Sequence, residues 1–454
     1  MTSHHKAIIV LYVVSMFMVS IDGTIVNVIL PVIAADFGVA EHRTNGINIA
    51  YLVSIAVSLP ASGYLADRFG VKKMLLAGVG AFTLASLLCG LASSLTMLIA
   101  ARALQGLAGG LIAPVGMALL FRTFPPEQRK KLAGSLVLPI AFAPAIGPLA
   151  GGVIAEYLSW EWSFVINIPI GIAALSVGSI AIKEFERYRP SFDWKGYALI
   201  GGGLPAVMAS MSLFASGRLT WMTILLAGAG LALLGMFYLY GQKAKEPLLD
   251  VHLYKDNLFR SLSFVAMCSM GALMGMLYLF PLFYQTAYSA SPLESALITF
   301  TEALGLMAAS RLMPKTAKRF TMKATIQGGL FGTMVIFTLI LMLGPSADPW
   351  LLRSLMFGVG IFLGHSVIGS QVTAFNHVTK KAMGKATTLY NMMNRVGAAT
   401  GIASAAAFLA ASSHLGIAVS YRVAFAGTIL FLAAGLLSAM YVKEDSAPLK
   451  GKAA

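Results

Sequence analysis

Asp22 is the only ionisable side chain stronger than tyrosine between Ala7 and Ala35, and its neighbours are almost all apolar. Glu302 is set the same way inside "LITFTEALGLM" (297–307). Arg395 is a base placed as deeply in a comparable run, and Arg102 lies in another, closer to its outer end. A carboxyl group in such a setting can take up and give back a proton, and when ionised it attracts a cation. An arginine in the same setting can hold that charge in place. Ionisable groups inside long apolar segments are costly and mark pathways, relays or pairs. Asp22 therefore reads as a proton and cation site, with a structural pair to Arg102 or Arg395 as the plainer alternative, and Glu302 reads as a second carrier. His365 reads as a hydrogen-bonded core residue. Arg311 and Arg353 lie near the ends of apolar runs, where a long side chain can reach water. The chain shows no His-Cys-Asp/Glu cluster, phosphate-binding loop or soluble catalytic domain, so no enzymatic constellation is expected, nor any metal or cofactor.

The elements that must position these groups follow from composition. Of 454 residues, 58% are hydrophobic and only 11% charged, whereas soluble domains are closer to a quarter charged. A bilayer-crossing helix needs about 20 apolar residues. Apolar runs give about fourteen spans, the first over 7–30 and the last over 421–441. The N-terminal run continues through Asp22 without a small-residue cleavage site, so it reads as a retained helix rather than a signal peptide.

Charge then sets orientation. Most of the 33 Lys and Arg residues fall at the N-terminus, at the C-terminus and in every second connection, as in Arg68/Lys72/Lys73, Arg122/Arg129/Lys130/Lys131 and Lys315/Lys318/Arg319/Lys323. The alternate connections hold only Arg43, Arg218 and Arg422. Lys and Arg favour the cytoplasmic side, which places both termini inside. The net charge of +15 is thus topology, and no nucleic-acid partner is expected. With the N-terminus inside, Asp22 lies 16 residues past Lys6, about 24 Å along a helix, beyond the midplane. Cys89 and Cys268 lie in apolar runs and suggest neither a disulfide nor a metal site. Tyr51, Phe82, Phe142, Phe283, Tyr284, Met307, Tyr390, Met392 and Met393 could line an adaptable apolar cavity.

Two local patterns add detail. In "GYLADRFGVKK" (63–73), Gly63 would permit close helix approach, Asp67 and Arg68 could pair or cap across neighbouring helix ends, and Gly70, Lys72 and Lys73 complete a basic turn. In "APAIGPLAGG" (143–152), Gly147, Pro148, Gly151 and Gly152 give a kinked helix with a flat face for tight packing.

These stretches resemble the motifs of the major facilitator superfamily. The first is similar to its G-x-L-A-D-R-x-G-R/K-K loop, the second to its antiporter motif G-x-x-x-G-P-x-x-G-G, with Ala143 in place of the first glycine. "RALQGLAGG" (102–110) looks like its intramembrane Arg-x-x-Gln-Gly segment. "IDGTIVNVILP" (21–31), "WEWSFVINIPIG" (160–171, with Glu161 where Arg is usual), "SFDWKGYALI" (191–200) and "NMMNRVGAATG" (391–401) resemble its drug:proton antiporter branch with fourteen helices. "PKTAKRFTMK" (314–323) is a weaker echo of the loop, lacking its acid.

The resemblance implies an all-α polytopic membrane protein of the major facilitator fold: a six-helix bundle over 1–185, an inserted helix pair with its flanking loops over 186–256, and a second six-helix bundle with a short tail over 257–454. It implies a conformational latch at Gly63, Asp67, Arg68, Gly70, Lys72 and Lys73, and coupling through Asp22, Glu302, Arg102 and Arg395. It further implies a multidrug efflux antiporter in a bacterial inner membrane, exchanging protons for small amphipathic, cationic compounds by alternating access, without a cofactor and as a monomer in the lipid bilayer. A symporter or uniporter of one metabolite or polar solute is the alternative.

Overall fold

The computed structural model describes residues 3–124, 146–182, 191–215, 220–244, 247–343, 347–379 and 382–442. Sixteen α-helices run through them: α1 (Ser3–Asp36), α2 (Asn45–Ser58), α3 (Ser62–Phe69), α4 (Val71–Gly90), α5 (Leu95–Thr123), α6 (146–157), α7 (Trp162–Val165), α8 (Asn167–Ala181), α9 (Trp194–Ala215), α10 (Trp221–Gly241), α11 (Asn257–Tyr288), α12 (Pro292–Arg319), α13 (Met322–Met342), α14 (Pro349–Ala374), α15 (Met383–Ala411) and α16 (Ile417–Met440). The α2–α3 pair is one span bent through a 3-10 turn at Leu59–Ala61, where Pro60 removes a backbone donor. Counting it and α7–α8 as single spans gives fourteen crossings among the described residues. Eleven are long and apolar enough on composition alone; α6, α9 and α15 complete the set.

Polar residues at the ends start the helices. Ser94, Thr321 and Asp348 each accept a hydrogen bond from a backbone N–H in the first turn of α5, α13 and α14. Ser291 and Glu294 form a reciprocal capping box on α12, with Pro292 as its first residue. Gly70, at φ 102°, turns the chain from α3 into α4 in a conformation that favours glycine.

Two six-helix bundles result, α1–α8 and α11–α16, with the pair α9–α10 between them in sequence. Helices in lipid gain little from burying apolar surface against one another, so close backbone approach at small residues matters more. The same pairs approach in each bundle. In the first, α2 crosses α5 so closely that a Cβ on Gly110 would lie 2.0 Å from Ser58 Oγ. In the second, α12 crosses α14, and a Cβ on Gly360 would lie 1.9 Å from the Glu302 carbonyl oxygen. These are the second and fourth spans of each bundle. The bundles meet where α1 packs on α11 and α12 and where α2 packs on α15, while α9 packs against both α2 and α15.

Candidate functional site

Asp22 is fully buried, and the partners it lacks on its own helix come from two others. Its Oδ2 forms an ion pair with Arg102 Nη1 of α5, itself without exposed surface. Its Oδ1 accepts from Gln105 Nε2 at 2.9 Å and from Asn167 Nδ2, on α8, at 3.1 Å. Gln105 also accepts from Arg102 Nη1 at 2.6 Å and donates to Ser86 Oγ of α4 at 2.8 Å. The guanidinium lies 4.0 Å over the Tyr51 ring, a favourable seat for a desolvated cation, and the Tyr51 hydroxyl donates to the Val19 carbonyl. One carboxylate therefore ties α1, α5, α8 and, through Gln105, α4. Of the two sequence alternatives for its partner, the structure selects Arg102. Arg395 makes no ion pair among the described residues; it sits on α15, half-buried, within electrostatic reach of Tyr51 across the bundle interface.

Glu302 is in the opposite situation. It is 1% exposed, and neither of its carboxyl oxygens has a hydrogen-bond partner among the described residues. Thr299, on the same face, spends its hydroxyl on the carbonyls of Ser295 and Ala296. Gly305 is taken up by the α14 crossing, where a Cβ would meet the Phe357 carbonyl at 2.1 Å. His365 is a satisfied core residue, with Nδ1 on the Ile361 carbonyl and Nε2 on Thr316 Oγ1.

In the last turn of α3, Asp67 pairs with Arg122 at the end of α5, both partly exposed. Lys72 Nζ reaches the Ser179 carbonyl in the last turn of α8 at 2.7 Å, and Lys73 stands beside it on α4. Two readings of this loop are corrected. Gly63 is exposed and a Cβ there would meet nothing within 4 Å among the described residues, so it serves no close approach to any of them. Arg68 is exposed and bonds the Tyr64 hydroxyl on its own helix rather than a neighbouring helix end.

Along α6 the small residues face two helices. A Cβ on Gly147 would sit 2.0 Å from Thr24 Oγ1, and one on Gly151 would sit 2.6 Å from the Ile25 carbonyl, both on α1. One on Gly152 would sit 2.4 Å from Ala296 Cβ of α12, in the other bundle. Pro148 lies between them, and Ala143 falls outside the described residues. The flat face is thus an interface with both bundles, within one turn of Asp22 on one side and nearly two turns from Glu302 on the other.

The aromatic and Met-rich faces divide. Phe82 and Tyr390 are core residues, and Phe142 lies outside the described residues. An apolar groove of about 470 Å³ instead opens between α9, α10 and α15, lined by Met211, Phe214, Ile224, Ala407 and Phe408; it shares no residue with the Asp22 cluster. Gln105, Asn167 and Ser86 were not singled out from sequence, although the first two stand in the "RALQG" and "INIPIG" stretches.

The matches to known proteins agree with this fold. The family model for the Major Facilitator Superfamily matches residues 12–402, and the chain belongs to that family. A Cronobacter sakazakii protein named as multidrug resistance protein MdtD is 29% identical over 403 residues, covering 88% of this chain and 85% of its own. An Escherichia coli protein of the same name is 31% identical over 330 residues, covering 72% and 69%. Among solved structures, a bacterial homologue of the human lysosomal transporter Spinster superposes with a TM-score of 0.68 at 15% identity, covering 97% of this chain and 98% of its own. A peptide transporter, POT, gives 0.69 at 15% identity, covering 96% and 95%. This is a multi-pass membrane transporter, not an enzyme.

Proposed function

We propose that this transporter is a proton-coupled antiporter exporting amphipathic, cationic compounds by alternating access, with its two buried acids in different roles. The observation that carries the reading is the contrast between them. Glu302 has no donor beside either oxygen among the described residues, and an unpaired charge is costly away from water, so Glu302 is the acid that travels with its proton on and releases it when its site opens to the cytoplasm. Asp22 is already neutralised by Arg102. Protonating it frees the guanidinium and loosens the junction of α1, α5 and α8, so proton binding there changes helix packing rather than merely charge. The names of the MdtD relatives support export of toxic compounds, and the alternating Lys/Arg bias supports termini on the cytoplasmic side of a bacterial inner membrane. Within the bundles, 1–185 and 257–454 move against each other with 186–256 as the inserted pair; Asp67 and its loop bias one arrangement, and the Gly147–Gly152 face is the surface on which the bundles turn.

The test uses purified protein in proteoliposomes with an imposed pH gradient and a fluorescent lipophilic cation. Glu302→Gln should abolish gradient-driven movement by tenfold or more while leaving binding of the cation within about threefold. Symport would instead move the compound with the proton, and unchanged gradient-driven export in Glu302→Gln would remove Glu302 from the mechanism.

A further inference from the structure

The turn between α1 and α2 carries one acid, Glu41, in a short 3-10 turn, Glu41–Thr44, at the end of the molecule opposite the N-terminus. Its carboxylate is shared by two hydroxyls of the other bundle. Oε1 accepts from Thr286 Oγ1 of α11 at 2.6 Å, and Oε2 accepts from Tyr421 Oη of α16 at 2.6 Å. Its backbone carbonyl faces the Tyr278 hydroxyl, also on α11, at 3.4 Å. Gln285 adds a bond to the Val28 carbonyl of α1 at 2.9 Å. The charged neighbours are His42 and Arg43 on the same turn and Arg422 beside Tyr421, and none forms an ion pair with Glu41 among the described residues. Among the described residues, hydroxyls alone hold the charge.

Hydrogen bonds to an ionised group are about twice as strong as neutral ones. These two join the first bundle to two helices of the second. Carboxylate, threonine and tyrosine hydroxyl can each be rehydrated when the bundles part, which suits a contact that forms and breaks in every cycle. We propose that Glu41 is the clasp of this end: one carboxylate, bridging α11 and α16 from the α1–α2 turn, sets the population of the state closed there. The proposal rests on the transport reading only for what passes through the opened end.

The test needs no substrate. Spin labels at Arg43→Cys and Arg422→Cys, both exposed in the closed state, report the separation across this end in lipid nanodiscs, with Cys89 and Cys268 replaced by alanine. Glu41→Ala should raise the ratio of long to short distances by roughly tenfold or more, the worth of one charged hydrogen bond or better. Thr286→Val combined with Tyr421→Phe should produce a comparable shift with Glu41 intact, and joining all three should add little. If Glu41→Ala does not fold, the Thr286/Tyr421 variant decides alone. A folded variant of either kind with an unchanged distance distribution overturns the clasp, as do fully additive effects. Loss of the distance shift would leave proton-driven export standing, and loss of export with an intact shift would leave the clasp standing.

Discussion

Replacing Asp22 by asparagine keeps its shape and removes its charge. The amide oxygen can still accept from Gln105 and Asn167, but Arg102, with no exposed surface, loses its counter-ion. Two of its guanidinium nitrogens, Nε and Nη2, already lack partners among the described residues. Removing one member of a buried ion pair costs about 3–5 kcal/mol, a large part of the ~5–15 kcal/mol that separates folded from unfolded protein. Arg102→Gln should cost about the same for the mirrored reason, since it strands the carboxylate with two amide donors. The double variant holds no charge at all and keeps an all-amide cluster, so it should recover most of the loss, with a coupling of about 2–3 kcal/mol. Cys89 and Cys268 are free and buried, so reaction with a thiol-specific dye during heating reports unfolding in detergent without further labels. The expected order of melting is wild type, then the double variant, then both single variants well below. An Asp22→Asn protein that melts with the wild type would show that the pair is not needed, and a double variant no better than its worse parent would show that the two residues do not answer each other.

Asp67→Asn and Arg122→Gln should slow transport alike, by a few fold and without a melting change, because the pair is partly exposed and such pairs contribute about 1 kcal/mol or less; different phenotypes would mean that the two act separately. Gly360→Ala should sharply reduce the yield of folded protein, since the added methyl meets the Glu302 carbonyl at 1.9 Å, whereas Gly228→Ala, with nothing within 4 Å, should express normally; size-exclusion profiles of the two variants give the comparison.

The helices were legible because a bilayer demands long apolar runs, and the described spans fall on the runs read from the sequence. The site was legible in part. Asp22 and Glu302 stood out because charge is conspicuous in an apolar run, and Arg102 was one of two named partners. The network between them was not readable: Asn167 lies 145 residues from Asp22 and Gln105 lies 83 away, and uncharged amides raise no alarm in a hydropathy profile. Glu41 and Tyr421 are 380 residues apart, joined only because the two bundles close on each other at that end. Gly63 shows the opposite error, a residue read as permitting close helix approach although a Cβ there would meet none of the described residues within 4 Å.

The two bundles repeat a scaffold and differ in their charges, and that difference bears on the proposed function. Beyond the shared glycine crossings, each bundle uses a lysine in the same place: Lys72, in the first turn of α4, donates to Ser179 O in the last turn of α8, and Lys323, in the first turn of α13, donates to Met440 O at the end of α16. In both, a cation meets the negative end of a helix dipole and ties the third span to the sixth. The acids do not follow this symmetry. Asp22 is on the first span of its bundle and is held by four polar groups, counting Ser86 through Gln105; Glu302 is on the second span of the other and is held by none among the described residues. The Asp67–Arg122 pair has no counterpart acid in "PKTAKRFTMK". A purely structural need for buried charge would be met alike in two bundles built alike. That the lysine ties and glycine crossings are duplicated and the carboxylates are not supports the proposal that the carboxylates serve transport while the duplicated features serve packing.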